Sequence, residues 1–175
     1  CDSLDRIAAL GAKLVITVDC GIRSAREVAH GTALGMDMIV TDHHSIQKDE
    51  GGRDILPPAL AVINPKQQDD EYPFKDLAGV GIAFKVAQAL VRANREDPFV
   101  ADLALKTGDL LDLVALGTVA DIAPLVGENR LLVRKGLDAL NGTVRTNGTA
   151  ETHVTHRGPR RPGLRALFGE ASLQP

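Results

Sequence analysis

The apolar positions form short continuous runs in the first third of the chain and helical spacing after it. Ser3 to Leu10 reads as a helix, with Gly11 as its C-terminal stop. Lys13 to Asp19 is a nearly continuous β-branched run, the pattern of a strand buried on both faces. Gly21 breaks it, and Ser24 with Glu27 has the spacing of a capping box for a helix reaching Leu34 and stopping at Gly35. A second buried strand, Met36 to Thr41, ends in Asp42-His43-His44. Strand, helix and strand within about 30 residues predict a βαβ unit with parallel strands. Ala59 to Ile63 is a third apolar run, ending in Asn64-Pro65-Lys66, and the polar, Gly- and Pro-rich stretch from Gln47 to Pro58 reads as a loop. Helices are then predicted over Ala78 to Ala93, Pro98 to Lys106, Asp109 to Val119 and Asn129 to Leu140. Apolar content collapses from Asn141 to Arg161 and recovers over Pro162 to Phe168.

Composition narrows what such a fold can do. The 175 residues are 44% hydrophobic and 25% charged, enough apolar surface for a real core and too mixed in charge for disorder. No apolar run approaches the ~18 residues of a membrane span. The N-terminus lacks the basic start and apolar block of a signal peptide, and two cysteines cannot staple a secreted scaffold, so a cytoplasmic setting is expected. The net charge of −3 and 3% aromatic content argue against a broad phosphate-gripping surface or a row of base-stacking platforms.

The candidate chemistry lies at the strand ends. Parallel strands of one βαβ unit end on the same sheet edge, where α/β proteins place their ligand sites. Here Asp19 ends one strand, and Asp42, His43 and His44 end the next. A carboxylate beside imidazoles suits a borderline divalent ion such as Mn2+ and is less typical of Mg2+ alone. The alternatives are a turn residue capping a helix for Asp19 and a polar loop pair for His43-His44. Asp121 follows a strongly apolar helix and precedes Pro124. A carboxylate there faces the unfavourable end of the helix dipole, which a metal would offset; a plain helix-terminal Asp is the alternative.

Three stretches, Thr17-Val18-Asp19-Cys20-Gly21, Thr41-Asp42-His43-His44 and Val119-Ala120-Asp121-Ile122-Ala123-Pro124-Leu125, resemble the later motifs of the DHH phosphoesterases. Asn64-Pro65-Lys66, Leu77 to Lys85, Gly127-Glu128-Asn129-Arg130 and Arg161 to Leu167 resemble the RecJ-like single-strand-specific exonucleases within that family. The resemblance implies an α/β fold, a Rossmann-like parallel βαβ sheet followed by a helical segment. It divides the chain at residues 1–66 (the later part of the DHH sheet), 67–141 (helical), 142–160 (linker or insertion) and 161–175 (the start of a next segment). It implies a 5′→3′ exonuclease on single-stranded DNA in repair and recombination, with two divalent ions, Mn2+ or Mg2+. Asp19 would bridge both ions, and His43 and Asp121 would complete one of them. His44 would contact the scissile phosphate, and Asp42 would orient a histidine. Lys66, Lys85 and Arg130 become candidates for phosphate contacts, with solvated surface charge as the alternative. Single-strand-binding protein and a helicase are the implied partners, and a membrane is not.

The family's first motif, an Asp-x-Asp-Gly cluster, does not occur among the 18 residues before Asp19. With Cys1 rather than Met at the start, the expectation is a piece of a RecJ-like protein, inactive alone. Two other readings compete. One is a DHH phosphodiesterase acting on short oligonucleotides or cyclic dinucleotides. The other is a non-catalytic remnant serving as a scaffold, against which retention of Asp19, Asp42, His43, His44 and Asp121 speaks.

Overall fold

A computed structural model describes residues 2–98, 106–141, 143–145, 152–154 and 159–172. The chain divides into two compact units, Cys1–Val86 and Ala87–Pro175. In the first, α1 (Asp2–Ala9) leads to β1 (Leu14–Val18), α2 (Ala25–Ala33) and β2 (Asp37–Thr41). A two-residue ladder of β3 (Gln47–Lys48) and β4 (Asp54–Ile55) precedes β5 (Ala61–Ile63), and α3 (Gly79–Ala93) crosses the boundary between the units. The second unit holds a 3-10 turn (Thr107–Leu110), α4 (Leu111–Ala120), α5 (Gly127–Leu140), β6 (Thr143–Arg145), β7 (Thr152–Val154) and α6 (Pro162–Glu170).

The expected βαβ unit is present. β1, β2 and β5 form a three-stranded parallel sheet in that order, with Val18 opposite Thr41 and Thr41 opposite Ile63. Its core gathers Val28 from α2, Met36 just before β2, and Met38 and Val40 from β2, packed by Leu4, Ala8, Val15, Ala59 and Val62. Gly11 and Gly35 adopt φ of 85° and 80°, which glycine reaches without strain, so both helices stop where the sequence placed the stops.

Three expectations need correction. β1 is not buried on both faces: Leu14, Ile16 and Val18 are 50%, 45% and 53% exposed. The strand lies at an edge of the sheet and alternates, turning Val15 to the core and its neighbours outward. The capping box does not form, because Ser24 (φ −97°, ψ 44°) lacks the extended backbone that aims an N-cap hydroxyl at the first turn. The stretch from Gln47 to Pro58 is not all loop, since Gln47 pairs with Ile55 and Lys48 with Asp54, whose side chains also form an ion pair. Within 142–160, β6 and β7 pair antiparallel. The helix predicted over Pro98 to Lys106 lies largely outside the described residues.

In the second unit the fit of α4 to α5 depends on Gly136. A Cβ there would stand 2.2 Å from the Leu111 carbonyl oxygen and 2.4 Å from the Ala115 Cβ. Backbone cannot yield as a flexible side chain can, so Gly136→Ala is expected to cost about 1–3 kcal/mol of stability. A shifted urea-unfolding midpoint of the full-length protein would show this, and an unchanged midpoint would refute the close approach. Arg161, just before α6, donates from Nε to Asp112 Oδ2 at 2.8 Å and from its guanidinium to the Asp109 carbonyl, tying this segment to the start of α4. Among the described residues no helix is long and apolar enough to cross a membrane.

Candidate metal centre

The site is built where the parallel strands end. The Asp19 N–H donates to the Thr41 carbonyl and the Asp42 N–H to the Ile63 carbonyl, both at 3.0 Å, so each ladder runs one residue past its strand. Thr41 Oγ1 donates to the Thr17 carbonyl at 2.7 Å and braces β1 against β2. Asp19 then turns sharply, at a left-handed φ of 64°. A non-glycine residue pays for that conformation, and such strain collects where a side chain must be aimed.

Asp42 is the anchor. It is 1% exposed, and its carboxylate accepts the backbone N–H groups of Ile22 (2.9 Å), His43 (2.7 Å) and His44 (3.1 Å). The His44 ring reaches it through Nδ1 at 2.7 Å. Burial alone would raise this carboxyl; the Ile22, His44 and His43 amides and the His44 ring outweigh it and bring the pKa below the ordinary 3.8. With Nδ1 donating to a carboxylate, Nε2 is the nitrogen His44 offers to anything outside.

His43 Nε2 lies 3.0 Å from Asp19 Oδ1, and the two histidine rings stand 4.5 Å apart. Asp19, His43 and His44 each offer one ligand atom, and these atoms lie within 4.8 Å of one another. An ion at about 2.0–2.3 Å from its ligands separates them by up to about 4.6 Å, so small side-chain rotations suffice to hold one. A carboxylate and imidazoles around a site with a buried carboxylate behind it fit a divalent cation of the Mn2+ type.

The remaining predicted residues are placed differently. Lys66 is half-buried, and its N–H donates to Asn64 Oδ1 at 2.9 Å. The Lys85 ammonium lies 6.0 Å from the centre of the Tyr72 ring. Asp121 and Arg130 belong to the second unit and are exposed, Asp121 as the C-cap of α4 and Arg130 on α5. Two residues important to the site were not recognised as such from sequence. Buried Asn64 donates from Nδ2 to the His44 carbonyl at 3.0 Å and fixes the histidine's main chain. Its signal was its position just past the third parallel strand, on the same sheet edge. Gly79 packs against the Asp19 carboxylate, a contact no periodicity reports.

Residues 3–118 match the model of the DHH family, N-terminal domain. The chain is 42% identical over 175 residues to the single-stranded-DNA-specific exonuclease RecJ of Salmonella typhimurium, covering 98% of this chain and 27% of that protein. It is 45% identical over 135 residues to the RecJ of Bacillus subtilis, covering 77% of this chain and 15% of that one. Among solved structures it is similar to RecJ in complex with Mn2+ from Thermus thermophilus, with a TM-score of 0.68 and 29% identity over 99% of this chain and 22% of that one. It is also similar to an exonuclease RecJ bound to manganese, with a TM-score of 0.58 and 34% identity over 77% of this chain and 31% of that one. The chain therefore spans about a quarter of the length of the Salmonella relative.

Proposed function

The chain belongs to the DHH family, and on that premise we propose that it carries part of the catalytic centre of a divalent-metal-dependent 5′→3′ exonuclease acting on single-stranded DNA. The observation that carries the reading is the convergence of Asp19, His43 and His44 at the ends of two parallel strands. The likeness to RecJ proteins named for single-stranded-DNA-specific exonuclease activity supports the substrate class. The likeness to RecJ structures containing manganese supports the cation.

Asp19 and His43 supply an anionic and a neutral ligand from adjacent strands. Asp42, held ionised by its amide donors, orients the His44 ring through Nδ1, so that Nε2 is the nitrogen available to a phosphate oxygen on which charge develops. A pair of divalent ions, when bound, supplies hydroxide near neutral pH and stabilises the attacking and leaving oxygens of the displacement. Asp121 as a further ligand, and Lys66, Lys85 and Arg130 as phosphate contacts, enter the reading on their sequence motifs, as does a choice between Mn2+ and Mg2+. Single-strand-binding protein and a helicase are the proposed partners, matching a substrate that must first be unwound and protected.

The test uses the full-length protein with a 5′-labelled long single strand, the matching duplex and a dinucleotide, each with Mn2+ and with Mg2+. Mn2+-dependent release of the 5′ label from the single strand, with the duplex resistant, is expected. Faster hydrolysis of the dinucleotide would replace this reading with a phosphodiesterase for short substrates. No hydrolysis of any substrate would favour a non-catalytic scaffold.

A further inference from the structure

The first residue of α3, Gly79, is buried and carries no side chain where one could not fit. A Cβ there would stand 2.1 Å from Asp19 Oδ1, 2.6 Å from its Cγ and 2.9 Å from its Cβ. We propose that Gly79 is a positioning residue for the Asp19 carboxylate, its missing side chain fixing where that carboxylate stands beside His43 and so the affinity of the divalent-cation site. The proposal rests on the metal reading above and names a residue that acts through a ligand.

Conformation does not explain the glycine. The left-handed glycines of the first unit are elsewhere, and Gly79 begins a regular helix where alanine would be favoured by about 1 kcal/mol. Space does explain it. On the opposite side Asp19 has little freedom, because its N–H is bonded to the Thr41 carbonyl and its φ is fixed at 64°. A methyl group at 79 therefore forces the Asp19 carboxylate away from its place 3.0 Å from His43 Nε2. The carboxylate also stands at the N-terminal end of a helix, where the dipole favours its charge. Gly81, two residues on, lacks this role: a Cβ there would meet the Leu77 side chain, which can shift.

The experiment is Mn2+ titration of the full-length protein by calorimetry without DNA, with thermal unfolding of the metal-free protein alongside. Gly79→Ala is expected to weaken Mn2+ binding about 10- to 100-fold, the range for residues supporting a metal ligand. Gly163→Ala, also in the first turn of a helix but with nothing within 4 Å of the new Cβ, should leave binding unchanged. Asp19→Gly removes the three atoms nearest the new Cβ and suits the left-handed φ. In that background Gly79→Ala should cause no further loss of affinity and no drop in melting temperature. If Gly79→Ala alone fails to fold, recovery of folding in the Asp19→Gly double variant supports the contact, and no recovery overturns it. Unchanged Mn2+ binding by Gly79→Ala, or an equal loss in both backgrounds, overturns the positioning role alone. A parent protein that takes up no Mn2+ overturns the metal reading and this role with it.

Discussion

Asp19→Gly in the full-length protein is expected to lower exonuclease turnover about a thousandfold or more, while leaving the melting temperature unchanged or slightly raised. The two effects have one origin. Asp19 occupies a left-handed backbone conformation with φ 64°. That costs an ordinary residue about 1–2 kcal/mol and glycine almost nothing. Glycine loses about as much again in chain entropy, so the balance lies near zero or in favour of the variant. The carboxylate is about half exposed, so its removal opens no cavity in the core. What disappears is a carboxylate 3.0 Å from His43, the anionic ligand of the proposed cation site. Turnover on labelled single strands and a thermal melt of the same preparation check both halves. A variant that retains turnover, or melts well below the parent, would contradict the placement of Asp19.

The second large effect runs the other way. Asp42→Ala is expected to destabilise the protein by about 3–5 kcal/mol, because it strands buried donors rather than removing one contact. The Ile22, His43 and His44 amides all donate to this carboxylate, and the His44 ring reaches it too. Asp42→Asn keeps the shape and isolates the charge. The folded-state pKa of Asp42 lies below its ordinary 3.8. Its ionisation thus adds stability that is fully present above that ordinary value. The contribution is lost as pH falls from about 3.8 through the lower folded value. The parent's advantage over Asp42→Asn in urea unfolding should be level from neutral pH to about 5 and shrink in stronger acid. An advantage that grew on acidification would reverse the sign and refute a stabilised carboxylate.

How much of this was legible beforehand depends on whether the controlling contact was local. The helix stops at Gly11 and Gly35, the parallel pairing of β1 with β2, and the meeting of Asp19 with the Asp42-His43-His44 run all follow from short-range pattern and strand polarity. Which histidine does what was not legible from spacing, because adjacent residues differ only in where their rings turn. His43 turns to Asp19 and His44 to Asp42. The exposed face of β1 is not legible in the sequence, because a continuous β-branched run does not reveal whether a strand lies at an edge. The failed capping box at Ser24 has a similar cause: the motif specifies residue types, whereas the turn from Gly21 set the backbone angles. Asn64 and Gly79 act across 20 and 60 positions of sequence, on His44 and Asp19 respectively, and only the folded chain brings them there.

A crystal of the full-length protein grown with Mn2+ would show whether the strand-end cluster is a divalent-cation site. Anomalous scattering at the manganese edge should give a peak within about 2.3 Å of an Asp19 carboxylate oxygen and of a ring nitrogen of His43, absent from crystals of Asp19→Gly. Manganese bound elsewhere, with Asp19 and His43 still in contact and no peak between them, would rule out a cation site at the strand ends.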